Sequence, residues 1–165
     1  MNNPLVVILM GSRSDLEHCE KIAEAAKRFG LDVHLRIGSA HKTAAHTLKI
    51  LNLYEQNPQP KVYITVAGRS NALSGFTDGA VSEPVIACPP YSEAYGGVDI
   101  FSSLRMPSAI APATVLEPAN AALLAAKILG LVNQDVRDKV LSYQREQAAK
   151  ILKDDQEIQS KTIEG

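Results

Sequence analysis

His41 lies in the run Ser39-Ala40-His41-Lys42, between a strand-like stretch from Leu31 to Ile37 and a helical pattern that begins at Thr43. An imidazole exchanges protons near pH 6.5, and general acid-base catalysis of this kind contributes about 10²- to 10⁴-fold to a rate. Lys42, next to it, can hold a phosphate as a point charge. One strand earlier, at a junction of the same kind, stands Gly11-Ser12-Arg13-Ser14-Asp15. Gly11 permits a sharp turn and close approach of the backbone, while Ser12 and Ser14 offer hydroxyls at the positive end of a helix, which suits a phosphate. The plainer reading of Ser14 is a helix N-cap forming a capping box with Glu17. Asp15 is a poor phosphate neighbour, but its carboxylate can accept hydrogen bonds from sugar hydroxyls. A phosphoribosyl ligand reconciles the two.

A third junction, Gly68-Arg69-Ser70-Asn71, is again glycine and polar. Ser70 and Asn71 can hydrogen-bond a heterocycle or a carboxylate; a simple turn with a helix cap is the alternative. The loop from Pro89 to Gly97, carrying Tyr91 and Tyr95, is placed to cover such a site. His18, His34 and His46 fall inside predicted elements, His18 on the wet face of its helix, and are read as structural.

These junctions need an open α/β sheet to bring them together, and the chain alternates strand and helix signals throughout. Leu5 to Met10 is an unbroken apolar run, as expected of a parallel strand covered on both faces. A helix follows from Ser14 to Gly30, with Leu16, Cys19, Ile22, Ala23, Ala26 and Phe29 at helical spacing. Further strands are predicted over Leu31 to Ile37, Val62 to Ala67, Pro84 to Cys88 and within Ile110 to Leu116. Further helices are predicted over Thr43 to Glu55, Ala72 to about Gly79, Ile100 to Arg105 and Pro118 to Gly130. Residues 91 to 98 read as loop, and Pro89-Pro90 as a place for a cis peptide. The result is a flavodoxin-like three-layer sandwich.

Alanines 121, 122, 125 and 126 predict close packing of the helix that carries them. An extra helix from about Gln134 to Asp154 follows the completed sheet and is expected to pack on a neighbouring subunit, with capping of its own sheet as the alternative. Residues 1–155 are read as one catalytic domain and 156–165 as a flexible tail.

Composition narrows the function. The chain has 165 residues, 45% hydrophobic and 21% charged, with a formal net charge of -1. That supports one globular domain, with no general attraction for nucleic acid or an anionic membrane, and it favours a small ligand. No apolar run reaches the ~18 residues of a membrane span, and the N-terminus lacks a secretory pattern, so a cytoplasmic location is expected. Cys19 and Cys88 read as small buried hydrophobes. There is no Cys-x-x-Cys and no carboxylate cluster at ligand spacing, so no metal is expected.

Four blocks, Met10-Gly11-Ser12-Arg13-Ser14-Asp15, Ser39-Ala40-His41-Lys42-Thr43, Ala67 to Gly75 (Ala-Gly-Arg-Ser-Asn-Ala-Leu-Ser-Gly) and Ser102-Ser103-Leu104-Arg105-Met106-Pro107, resemble the phosphoribosylaminoimidazole carboxylase family of purine biosynthesis in order and spacing. The resemblance covers residues 4 to 150. Bacterial mutases of that family have Ser-Ala-His-Arg and a second histidine in Gly-Gly-Ala-Ala-His; here Lys42 replaces the arginine and Ala72 stands where that histidine would align. The combination resembles the animal-type, class II branch, which adds CO2 to carbon 4 of aminoimidazole ribonucleotide.

The resemblance implies no cofactor: no biotin, ATP or metal, with CO2 as co-substrate. It implies His41 as the catalytic group, Ser12, Ser14 and Lys42 on the phosphate, Asp15 on the ribose, and Ser39, Gly68 and Ser70 on the base and carboxylate. Gly11, Arg69 and Asn71 complete the candidate substrate-binding set, while Arg13 and Arg105 have no assigned role. It also implies an octamer, without nucleic-acid or membrane partners. The rivals are the mutase and, from other classes, a flavodoxin-like FMN-binding electron carrier or a receiver domain. The chain has no Trp to stack a flavin, and Leu5 to Met10 has no acidic residue for a phosphoaspartate site.

Overall fold

The computed structural model describes residues 3–163, the Tyr95 side chain and those of residues 162 and 163 excepted. Its centre is a five-stranded, all-parallel sheet in the order β2-β1-β3-β4-β5, the flavodoxin-like arrangement. The strands are β1 (Leu5–Met10), β2 (Asp32–Ile37), β3 (Lys61–Val66), β4 (Val85–Ala87) and β5 (Ala113–Thr114). The helices are α1 (Leu16–Arg28), α2 (Ala44–Glu55), α3 (Ala72–Asp78), α4 (Phe101–Leu104), α5 (Pro118–Leu129) and α6 (Gln134–Ile163).

The apolar run of β1 is explained by its two partners and two faces. All six of its residues are buried. Val6, Ile8 and Met10 join α1 and α5 on one side, and Leu5, Val7 and Leu9 join α2 and α3 on the other. Truncating a residue such as Ile8 to alanine at so enclosed a position costs about 2–5 kcal/mol. On the first side, Ala121, Ala122, Ala125 and Ala126 are fully buried where α5 packs on α1. Cys19 and Cys88 are unpaired and buried in the same layer, as their spacing in the elements predicts.

Several local expectations need correction. Ser14 does not cap α1: residues Arg13–Asp15 form a 3-10 turn, the helix starts at Leu16, and Glu17 pairs instead with Lys21 at 2.8 Å. The segment expected as loop contains a 3-10 stretch over Ala94–Ile100, which leads into a short α4. Pro89-Pro90 is trans, like every described peptide bond.

The expectations for α6 divide along its length. Val136 and Val140 are buried in the domain's own core, and Tyr143 meets Phe29 edge to face at 5.5 Å. Beyond that the helix runs past Asp154 to Ile163, through residues expected to form a tail. The pairs Lys153–Glu157 and Gln159–Asp155, each one turn apart, support the helix there. Ile151, Leu152 and Ile158 remain exposed on this extension.

Candidate active site

Parallel pairing puts the carboxyl ends of β1, β2 and β3 in line, with Met10 beside Ile37 and beside Val66. The turns that follow these three strands therefore share one rim. They enclose a cleft of about 540 Å³ lined by Ser12, Ser14, Asp15, Ser39, His41, Lys42, Gly68, Arg69 and Ser70, with Gly11 at its base. Every predicted site residue except Asn71 lines it.

In the first turn the serines are released from capping duty. Ser12 Oγ and Ser14 Oγ bond one another, and Ser12 Oγ donates to Asp15 Oδ2 at 3.4 Å. Two hydroxyls and a carboxylate thus face the cleft as one polar group. Gly11 is less special than its type suggests, because a Cβ there would only touch Ala67 Cβ at an ordinary 3.5 Å.

The second turn is rigid by its own hydrogen bonds. Ser39 N donates to Thr43 Oγ1 at 3.0 Å, Thr43 N to the Ser39 carbonyl at 3.0 Å, and Lys42 N to Ser39 Oγ at 3.2 Å. The serine is thereby spent on shaping the loop as well as lining the cleft. His41 and Lys42 are exposed, and among the described residues none hydrogen-bonds the His41 imidazole. Both side chains are left for a ligand.

The third turn departs most from expectation. Its unusual backbone belongs to Arg69, at φ 59°, a left-handed conformation that a long side chain seldom adopts. Gly68, like Gly11, has no positive φ, and a Cβ there would only touch Pro90 Cγ at an ordinary 3.5 Å. Asn71 turns inward and is 3% exposed; its Oδ1 accepts from Ser74 N at 3.2 Å and its Nδ2 donates to Ser103 Oγ at 2.8 Å. It caps α3 rather than facing the cleft, so its placement among the lining residues is corrected. A carboxamide is an efficient cap, and the sequence alternative of a turn plus helix cap describes this residue.

Beyond the predicted set, Ala40, Ala67, Leu73, Pro90 and Ser92 also line the cleft. The last two come from the loop after β4, so that loop does contribute a wall; Tyr91 instead is 86% exposed, and the Tyr95 side chain lies outside the described residues. Across Gly68 and Pro90 is a second cavity of about 450 Å³, bordered by His18, Lys21, Tyr91 and Glu117. His18 is therefore not on a wet face. It is half-buried with Nε2 3.4 Å from Cys88 Sγ, and burial lowers its pKa from the ordinary value. Burial also pushes both Cys19 and Cys88 up to about 12, which keeps them as thiols near neutral pH.

Comparison with known proteins places this geometry in a family. The family model described as AIR carboxylase matches residues 5–150. The phosphoribosylaminoimidazole carboxylase of Treponema denticola is 58% identical over 94% of this chain and 98% of its own length, and the counterpart from Archaeoglobus fulgidus is 53% identical over 92% and 83%. A human bifunctional phosphoribosylaminoimidazole carboxylase/phosphoribosylaminoimidazole succinocarboxamide synthetase is 48% identical over 82% of this chain, which corresponds to 32% of that larger protein. The crystal structure of Treponema denticola PurE superposes with a TM-score of 0.92 at 58% identity, covering 94% of this chain and 98% of that one. With the same fold and a family match across nearly its whole sheet-forming length, the chain belongs to the AIR carboxylase family.

Proposed function

We propose that this protein is the CO2-using AIR carboxylase of purine biosynthesis, a carboxy-lyase that reversibly joins CO2 to carbon 4 of 5-aminoimidazole ribonucleotide. The observation that carries the reading is the meeting of His41 and Lys42 with Ser12, Ser14 and Asp15 in one cleft. An imidazole at an anion-holding rim is what a phosphorylated substrate with a reactive ring carbon requires.

Aminoimidazole is electron-rich, and its carbon 4 attacks the carbon of CO2 as a C–O π pair moves to oxygen. Carbon 4 then carries both a proton and a carboxylate. His41 removes that proton, the C–H electrons return to the ring, and aromaticity is restored; in reverse, the imidazolium protonates carbon 4. Ser12, Ser14 and Lys42 hold the phosphate, Asp15 the ribose, and Ser39, Gly68 and Ser70 the base and carboxylate. Holding both reactants in register supplies much of the rate. No step draws on biotin, ATP or a metal ion.

Lys42 and Ala72, in place of the arginine and second histidine of the mutases, favour the carboxylase over the mutase. Initial rates decide between them: the enzyme is given aminoimidazole ribonucleotide with bicarbonate-derived CO2, and separately its N-carboxylated form. Faster turnover of the N-carboxylated compound would overturn the assignment. Purified protein without yellow colour counts against the flavin alternative.

The working form is proposed to be a cytoplasmic homo-oligomer, an octamer by family resemblance. Support comes from apolar residues left open: Leu131 is 78% and Val132 71% exposed, ahead of the open Ile151 and Leu152 of α6. A monomer by light scattering would refute it. No described helix is long and apolar enough to cross a membrane.

A further inference from the structure

We propose that Asp99 is a positioning residue for the reaction: it holds Arg69 in its left-handed conformation and so aims the Gly68-Arg69-Ser70 turn into the cleft. This rests on the reading of that cleft as the substrate site. The turn contains no feature of its own that would keep an arginine at φ 59°, a conformation natural to glycine and tolerated by asparagine. Something outside it must over-determine the backbone.

That support comes from the segment entering α4, about thirty residues further along. Asp99 Oδ2 accepts the Arg69 N–H at 3.2 Å. Ser102 Oγ accepts the Asn71 N–H at 2.9 Å and lies 2.7 Å from the Asp99 carbonyl and 3.2 Å from the Arg69 carbonyl, donating to one of them at a time. Ser103 Oγ accepts from Asn71 Nδ2, and its own carbonyl takes the Thr114 hydroxyl at 2.9 Å, which ties the clamp to β5. The backbone on both sides of the strained residue is thus gripped by the end of the 3-10 stretch and the start of α4. A carboxylate is the strongest acceptor in the set, because a charge-assisted hydrogen bond exceeds a neutral one.

The clamp also gives a role to the Ser102-Ser103 part of a block that the cleft itself does not use. Neither serine lines the cleft, and Asp99 borders only the neighbouring cavity. They act on the site through the turn. Without Asp99, residue 69 relaxes toward an ordinary conformation, and Gly68 and Ser70 are no longer presented together.

The test is a double-mutant cycle on the full-length enzyme. Asp99→Ala is expected to raise KM for aminoimidazole ribonucleotide about tenfold while kcat stays within a factor of about three, because His41 is untouched. Asp99→Asn, whose amide oxygen can still accept the Arg69 N–H, is expected to recover most of the loss. Arg69→Gly has its own cost from loss of the side chain. On that background, however, Asp99→Ala is expected to add less than about threefold, since glycine needs no clamp. An equal penalty on both backgrounds, or none on either, overturns the proposal. If the wild-type protein does not turn over the nucleotide, the proposed function has failed, and the clamp is judged on amide exchange alone. Faster exchange of the Arg69 N–H in Asp99→Ala than in wild type, restored in Asp99→Asn, then upholds it; equal exchange overturns it.

Discussion

The two ends of the sheet use similar residues to opposite effect. At the amino end, Lys61 is buried and pairs with Glu83 at 2.9 Å, while Glu55 accepts from the Tyr63 hydroxyl at 2.8 Å and from Ser82 N at 3.1 Å. Burial, reinforced by Glu55, pushes the Tyr63 hydroxyl well above its ordinary value. Lys61, Glu83 and Glu55 thus each have a partner from their own chain. At the carboxyl end, Lys42 and His41 stand exposed at the cleft with their side chains uncommitted. Polar groups that satisfy one another hold a fold together, and groups held in place but left unsatisfied are available for a ligand.

Breaking each end should therefore produce a different phenotype. The largest effect is expected from His41→Asn, which should lower turnover by about 10²- to 10⁴-fold with ligand binding and Tm nearly unchanged, as read by initial rates, calorimetry and thermal melts. Near wild-type carboxylation by this variant would remove His41 from the mechanism. At the other end, Lys61→Ala leaves the Glu83 carboxylate without its ion pair and should destabilise the fold by about 3 kcal/mol in denaturant titration. Its kcat per folded molecule should not change.

Lys42→Ala is expected to weaken nucleotide affinity about tenfold, some 1.4 kcal/mol, with little loss of stability. Unchanged affinity would contradict its phosphate role. The smallest effect concerns His18, whose folded pKa lies below the ordinary 6.5. The unfolded chain then binds the proton more readily, so stability is complete above about pH 6.5 and declines as pH falls through the lowered folded value. Melting temperatures across that range should show the decline, and His18→Gln should flatten it.

Much of this arrangement was legible before any coordinates. Uniformly apolar Leu5 to Met10 and the periodic stripe of α1 report local geometry, and strand-turn-helix order then puts residues 11–15, 39–43 and 68–71 at one rim. His41 could be placed at the rim because the period changes on either side of it. The capping box at Ser14 misled because Ser-x-x-Glu is a local pattern, and a 3-10 turn displaced the helix start by two residues. Polar composition likewise suggested a tail beyond Asp154, where one-turn pairs sustain a helix.

By itself the sequence determined the parallel sheet, its two-sided core, the three turns that form the mouth and the imidazole among them, since each is written in the spacing of neighbouring residues. Only the tertiary structure decided that Asn71 faces inward, that Arg69 rather than a glycine takes the left-handed position, and that His18 lies against Cys88. Those outcomes are set by contacts between segments some thirty to seventy residues apart, and local periodicity carries no information about which distant groups will meet.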